Sequence, residues 1–261
     1  MSNMNHKYLS SHVSLALFTT LIMGAAQADD DDWDGFYIGA NLGYGWADAD
    51  TRFTSLSGAY GHSPYYAPEK IDPDPNGILG GAQAGYNWQI KRWVLGLETD
   101  FSFADINGNN TTLGTSSYSD GYTAPVALST EERINSFGTL RARLGMVAFE
   151  DFLVYATGGW AYGDVNYSAN TDYTATGSGK QSYPAHSFSE SKSGWTVGGG
   201  LEYGLLESLS LRAEYLYLDL GDTRAIANPE IPNPSYHYQK QYDWETRANI
   251  ARVGFNYFFD I

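Results

Sequence analysis

The chain is expected to be all-β: an eight-stranded antiparallel barrel that crosses a membrane, with short periplasmic turns and four long extracellular loops. Three observations lead there. Large apolar residues alternate with polar or small ones over eight stretches, the period of a strand with one face in an apolar medium. The connections between the stretches are alternately very short and very long, and aromatic residues gather near the stretch ends, as in barrels that cross an outer membrane.

The final stretch, 245–261, shows the alternation most plainly. Ile261, Phe259, Tyr257, Phe255, Val253 and Ala251 share one face, and Asp260, Phe258, Asn256, Gly254, Arg252 and Ile250 the other. In chain order, the first stretch (36–48) sets Phe36, Ile38, Ala40, Leu42, Tyr44 and Trp46 against Gly39, Asn41, Gly43 and Gly45. The second (77–90) sets Ile78, Ala82, Ala84, Tyr86 and Trp88 against Gly81, Gln83, Gly85 and Asn87. The third (93–104) has Trp93, Leu95, Leu97, Phe101 and Phe103 opposite Gly96, Glu98, Asp100 and Ser102. The fourth, ending near Ala148, has Leu140, Ala142, Leu144 and Met146 opposite Arg141 and Arg143. The fifth (152–167) leaves its faces open, because Leu153 and Tyr155 compete with Phe152, Val154 and Ala156. The sixth (194–206) alternates Trp195, Val197, Leu201, Tyr203 and Leu205 with Thr196, Gly198, Gly200 and Glu202. The seventh (208–220) alternates Leu209, Leu211, Ala213, Tyr215 and Tyr217 with Ser210, Arg212 and Glu214.

Lys91-Arg92, Glu150-Asp151 and Glu207-Ser208 mark tight turns, whereas 49–76, 105–131, 168–193 and 221–244 are long segments rich in Gly, Ser, Thr, Asn, Pro and Tyr. Loops of that length are foreign to a compact soluble domain. A soluble barrel with its apolar face inward is the competing architecture. Eight strands enclose just enough room for side chains, so the bulky Trp, Tyr and Phe of the apolar face do not fit inside, and the glycine-dense polar face does. Trp93 to Phe103 and Phe152 to Trp160 span roughly 20–25 Å at the usual rise and tilt, close to the apolar band of a membrane barrel. The greasy face is therefore expected to meet lipid.

Residues 1–28 read as a secretory signal: Lys7 gives a positive start, an apolar run follows from about Val13 to Met23, and Ala26-Gln27-Ala28 fits the small-residue cleavage rule. Residues 29–261 are then one barrel domain. The chain has no cysteine, which excludes disulfides, thiol chemistry and Cys-based metal sites. Its net charge of -15 argues against nucleic acid as a partner. The run Asp29-Asp30-Asp31-Asp32 reads as a solvated segment, with divalent-cation binding as its alternative.

Charges on the inward face fall at similar heights above the tight turns: Glu98, Asp100, Arg141, Arg143, Glu202, Arg212, Glu214 and Arg252. In a narrow barrel they have to pair, since an isolated buried charge costs several kcal/mol. Glu202 with Arg212, and Glu214 with Arg252, are expected as cross-strand pairs. A proton or ion path is one reading of these residues. A paired core that plugs the barrel is the other, and the strand number favours it because a wide aqueous channel needs ~16–18 strands.

Catalytic constellations are missing. His62, His186 and His237 all fall in long segments, the position two beyond each is Pro64, Phe188 or Gln239, and no Ser/His/Asp arrangement can be built from strand positions. The three histidines, arriving at one rim from different loops, read as independent surface residues, with a shared haem or metal site as the alternative. Gly177-Ser178-Gly179-Lys180 lacks the following Ser or Thr and the strand-to-helix setting of a phosphate loop. The tyrosines of the long segments, Tyr60, Tyr65, Tyr66, Tyr118, Tyr122, Tyr173, Tyr183, Tyr236 and Tyr238, suit either recognition or packing among loops.

The stretches Trp33-Asp34-Gly35-Phe36-Tyr37-Ile38-Gly39-Ala40-Asn41-Leu42-Gly43-Tyr44-Gly45, Leu153-Val154-Tyr155-Ala156-Thr157-Gly158-Gly159-Trp160, and Gly194-Trp195-Thr196-Val197-Gly198-Gly199-Gly200-Leu201-Glu202-Tyr203 continuing to Arg212-Ala213-Glu214-Tyr215-Leu216-Tyr217 resemble the small surface-antigen barrels of Gram-negative bacteria. This is the opacity-protein superfamily, similar in architecture to the OmpA transmembrane domain and often described as a porin family. The resemblance covers essentially all of 29–261. It implies an outer-membrane location and a non-enzymatic structural or surface-interaction role in envelope integrity, antigenicity or adhesion, with haem or small-molecule uptake, or a narrow channel, as alternatives. It implies no catalytic residue and no cofactor. The expected partners are outer-membrane lipids and lipopolysaccharide, the assembly machinery at the C-terminal strand, and a host or surface ligand at the loops. One departure stands out: such barrels usually end in Phe, whereas Phe259 is followed by Asp260-Ile261.

Overall fold

The computed structural model describes residues 33–56, 70–117, 123–149, 151–175, 179–227 and 239–259. They form β1 (Gly35–Leu56), β2 (Lys70–Ile71), β3 (Asn76–Ile90), β4 (Trp93–Ser117), β5 (Thr123–Phe149), β6 (Phe152–Ala175), β7 (Gly179–Leu206), β8 (Leu209–Ala227) and β9 (Gln239–Phe258). From β3 onward each strand pairs antiparallel with the next, and β1 closes the ring against both β3 and β9. The two-residue β2 takes the same edge of β1 as β3, opposite Thr51 and Arg52, so the ring has eight staves. Closure matters because backbone amides and carbonyls facing lipid have no water to pair with.

The alternation read from the sequence sorts the side chains as expected. Leu42, Ile78, Trp93, Leu97, Phe103, Leu140, Leu144, Trp160, Val197, Leu211, Val253 and Phe255 stand on the outside, with Leu42 and Ile78 each 71% exposed. Aromatic pairs edge this belt at both ends. Phe152 with Tyr203 and Tyr257 with Phe259 lie by the tight turns, and Trp160 with Tyr162, Trp195 with Tyr217, and Trp46 with Tyr215 lie at the far rim. The faces of β6, open in the sequence, are settled: Leu153, Tyr155, Ala161 and Val165 turn inward, while Phe152, Trp160 and Tyr162 turn outward.

The long segments contain more strand than their composition suggests. Much of 49–56, 105–117, 123–131, 168–175, 179–193 and 221–227 is strand, so the ladders climb well past the aromatic rim. The reason is visible in hindsight along β5, where Val126, Leu128, Thr130, Glu132 and Ile134 all point inward at a period of two. Thr and Tyr are good strand formers, and their polarity disguises the alternation. The stretch containing His186 belongs to β7, so one histidine does lie on a strand.

The interior is layered. Beside the tight turns an apolar seal gathers Trp33, Val94, Val147, Leu153 and Phe258 with the rings of Tyr37 and Tyr155. The charged layer follows. Above it a larger apolar core of Ile106, Ile134, Phe137, Val165, Tyr167, Leu216, Leu218, Trp244 and Ile250 fills the barrel and its extension.

Candidate functional site

The charged layer is built by strand alternation alone. Glu98 and Asp100 on β4, Arg141 and Arg143 on β5, Glu202 on β7, Arg212 and Glu214 on β8, and Arg252 on β9 all occupy inward positions, and every one is buried. These four arginines and four carboxylates balance in charge. Arg141 reaches Glu98, Asp100 at 2.8 Å and Glu214 at 3.1 Å. Arg212 donates to Glu98 at 2.6 Å and Glu214 at 2.5 Å, and Arg252 to Glu214 at 2.6 Å and Asp100 at 3.0 Å. Arg143 pairs with Glu202 and stacks 3.8 Å from the ring centre of Tyr155.

Neutral donors complete the coordination. Tyr37 donates to Glu98 at 2.6 Å, Tyr155 to Glu214 at 3.0 Å, and Thr139 to Asp100 at 2.6 Å. Ser210 and Asn256 each donate to Glu202 at 2.5 Å. Asn256 also accepts from Gln83, which accepts from Asn41, carrying the network round to β3 and β1. Desolvating this many charges is tolerable only because each is paired and hydrogen-bonded.

All eight charged residues singled out in the sequence therefore meet, but not in every pairing expected. Arg212 is the backbone partner of Glu202, yet its guanidinium passes over it to Glu98 and Glu214. Glu98 sits opposite Arg141 and pairs with it, and Glu202 takes Arg143 in place of Arg212. Arg252 and Glu214 do pair directly across β8 and β9. Long side chains in a narrow lumen reach across it, so backbone register alone does not choose partners.

Two members were invisible as candidates, Tyr37 and Tyr155. Their signal was glycine: Tyr37 is the register partner of Gly85, and Tyr155 of Gly200. A Cβ added to Gly85 would lie 2.4 Å from the Tyr37 hydroxyl, and one on Gly200 2.5 Å from that of Tyr155. The glycines make room for rings that lie across them inside the barrel.

A second polar cluster stands above the lipid belt. Glu132, fully buried, accepts from Thr246 at 2.8 Å, and Thr246 is 2.6 Å from the Tyr167 hydroxyl. Burial pushes the Glu132 carboxyl up from 4.5 to about 7, against the opposing pull of the Thr246 hydrogen bond and the Lys192 charge. A carboxyl raised in the folded state gives its full support below pH 4.5 and loses it as the pH rises through 7. Glu132→Gln is therefore expected to match the parent protein near pH 4 and to be more stable at pH 8, by on the order of 2–3 kcal/mol. Urea titrations in lipid vesicles at the two pH values check this; an equal offset at both would contradict it.

Of the histidine candidates, His62 and His237 lie outside the described residues, and His186 is placed only as a backbone position of β7. Among the described residues no group of three His, Cys, Asp or Glu side chains is arranged to hold a metal ion. Tyr173 and Tyr183 lie on β6 and β7, and the other loop tyrosines lie outside the described residues.

Residues 14–259 match the family model described as outer membrane protein beta-barrel domain. The 31 kDa outer-membrane immunogenic protein of Brucella melitensis is 35% identical over 239 residues, covering 90% of this chain and 87% of that protein. The 22 kDa outer membrane protein of Rhizobium leguminosarum biovar viciae is 28% identical over 189 residues, 72% of this chain and 64% of that one. Among solved structures, OprG of Pseudomonas aeruginosa aligns over 87% of this chain and 97% of its own, with 14% identity and a TM-score of 0.42.

Proposed function

This chain belongs to the outer membrane β-barrel family, and from that premise we propose that it is a sealed, non-enzymatic wall protein whose function lies in the extension it raises above the lipid. Its location is the bacterial outer membrane. The observation that carries the proposal is the closure of the lumen: an apolar seal, a neutralised ion network and an apolar core succeed one another from the tight turns upward. Among the described residues these layers occupy the lumen in succession, which supports a closed barrel. What remains available for interaction is the outer face of the extension, dressed with Asn, Asp, Ser and Thr, and the connections at its top.

In this reading the barrel anchors a surface structure, helps hold the envelope together, and presents an antigenic or adhesive surface. Lipopolysaccharide is the immediate neighbour of the rim, where Arg247 lies between Asp219 and Glu245, and Arg224 pairs with Asp243. The immunogenic names of the Brucella relatives fit such exposure.

The test has two arms. Reconstituted in planar bilayers, the protein is expected to give no stable conductance steps. On intact cells, a tag inserted near Tyr118 or Ser178 is expected to be labelled, and one at Glu150-Asp151 to be silent. Regular conductance steps would favour the narrow-channel alternative, and reversed labelling would invert the assignment of the two ends.

A further inference from the structure

Two ladders of the ring rise past the aromatic rim without interruption. β1–β9 keeps one register from Tyr37↔Phe258 to Leu56↔Gln239, and β6–β7 keeps one from Phe152↔Tyr203 to Tyr167↔Phe188. On either side of these two, the wall breaks just above the rim. On one flank, Ala104 and Asp105 of β4 face the single Asn135 of β5, and Asn135 has no counterpart on β6. The β1–β3 ladder stops on the same flank, at Trp46↔Asn76. On the other flank, Leu220 and Gly221 of β8 face the single Thr246 of β9, and the β7–β8 ladder stops at Trp195↔Asp219. Gly221 takes φ +75, a left-handed conformation that glycine supplies to a bulge.

The interior changes character at the same height. Below the breaks, the ion network braces the lumen with directional bonds between β4, β5, β8 and β9. At the breaks the filling is apolar, with Ala47, Ile106, Ile134, Phe137, Leu218 and Ala248 among its members. Contacts of that kind are non-directional.

Above the breaks, hydrogen bonds cross the lumen again. Thr130 of β5 lies 3.2 Å from Thr51 of β1 and accepts from Trp244 of β9 at 3.2 Å. Tyr167 and Thr171 of β6 lie 2.6 Å and 2.7 Å from Thr246 and Tyr242 of β9. These bonds tie β1, β5, β6 and β9 into one upper body. The upper part of β8 is fastened to β7 through Thr223, which accepts from Lys192 at 2.5 Å and donates to Glu190 at 2.8 Å.

We propose that this upper body is a head that rocks as a unit on the barrel, about a line across the lumen from the β1–β9 ladder to the β6–β7 ladder. On one flank β4 and β5, and on the other β8, carry a surplus residue at the break. Flattening or deepening such a bulge lets out or takes in one residue's rise, ~3.3 Å. In an eight-stranded barrel the flanks lie roughly 8–10 Å from that line, so the slack allows a rocking of up to about 20°. The apolar filling accommodates the turn by small sliding between packed side chains, the shear component of a hinge. The ion network beneath keeps its geometry, and the lumen stays closed. Rocking therefore changes the angle at which the top of the head is presented while the wall in the lipid stays fixed.

Because the chain has no cysteine, pairs of spin labels can be introduced without removing native thiols. Distances are read by double electron–electron resonance on the full protein in lipid nanodiscs. Each pair that spans the breaks joins an exposed belt position to an exposed head position on one strand. Leu42→Cys with Arg52→Cys on β1, and Val197→Cys with Ser189→Cys on β7, lie at the ends of the rocking line. Leu140→Cys with Glu131→Cys on β5, and Tyr215→Cys with Ile226→Cys on β8, lie on its flanks. The pairs on the line are expected to give narrow distributions, and the flank pairs distributions wider by about 3 Å, the rise of the surplus residue. Labels at Glu131 and Ile226, both in the head, and at Leu140 and Tyr215, both in the barrel, are expected to be as narrow as the pairs on the line. Equal widths on the line and on the flanks would overturn the proposal. A broad distribution between Glu131 and Ile226 would overturn it too, because the head would then flex within itself instead of rocking.

Discussion

Arg212→Ala is expected to destabilise the barrel by roughly 3–5 kcal/mol, because it leaves the buried layer with one uncompensated carboxylate. Arg212 is buried and serves Glu98 and Glu214 together, so its removal takes a charged donor from both carboxylates at once. The second substitution discriminates between partners. Adding Glu98→Gln restores charge balance and should recover much of the loss. Adding Glu202→Gln should not, although Glu202 is the backbone neighbour, because it strips Arg143 of its carboxylate. Urea unfolding of vesicle-refolded protein reads all three. A single variant as stable as the parent, or rescue by Glu202→Gln alone, would refute the network described above.

The second large effect concerns two exposed leucines. Leu144 is 54% exposed and Leu113 is 78% exposed, so burial alone ranks Leu113 as the more open to water. Leu144 lies within the belt on β5, whereas Leu113 lies high on β4, opposite Ala127 and well past the aromatic rim. Leu144→Arg is expected to cost about 2–4 kcal/mol in vesicles, the depth-dependent penalty for a charge on the lipid face. Leu113→Arg should change stability by less than about 0.5 kcal/mol, as for an ordinary surface site. Equal effects would mean that the belt does not face lipid.

The sequence made the belt legible because its alternation pits large apolar residues against glycine and charge. Leu95, Leu97 and Phe101 opposite Gly96, Glu98 and Asp100 admit one assignment only. It failed on β6 for a physical reason: Leu153 and Tyr155 are apolar and inward, part of the seal by the turns, while Phe152 and Trp160 are apolar and outward. A strand buried on both faces loses its period of two. The same effect hid the upper core, where Leu216, Leu218 and Ile250 point inward among residues first read as a polar face. The strand extensions were hidden by composition, since Thr51, Thr130 and Thr171 look like loop residues until their cross-lumen bonds are known. The eight charges of the site were legible by face and height. Their pairing was not, because an arginine can span a lumen that its backbone only borders.

Site-directed spin labelling along β6, from Phe152 to Tyr162, tests the account most directly. The chain has no cysteine to remove, and this is the strand whose faces the sequence left open. Labels at Val154, Ala156, Gly158 and Trp160 are expected to show high collision rates with oxygen, which concentrates in lipid. Labels at Leu153, Thr157 and Ala161 should be shielded from oxygen and from a water-soluble nickel chelate alike, as a filled interior requires. Nickel access at those inward positions would reveal an open aqueous lumen, and oxygen maxima there would turn the barrel inside out; either result would contradict a sealed barrel with its apolar face in lipid.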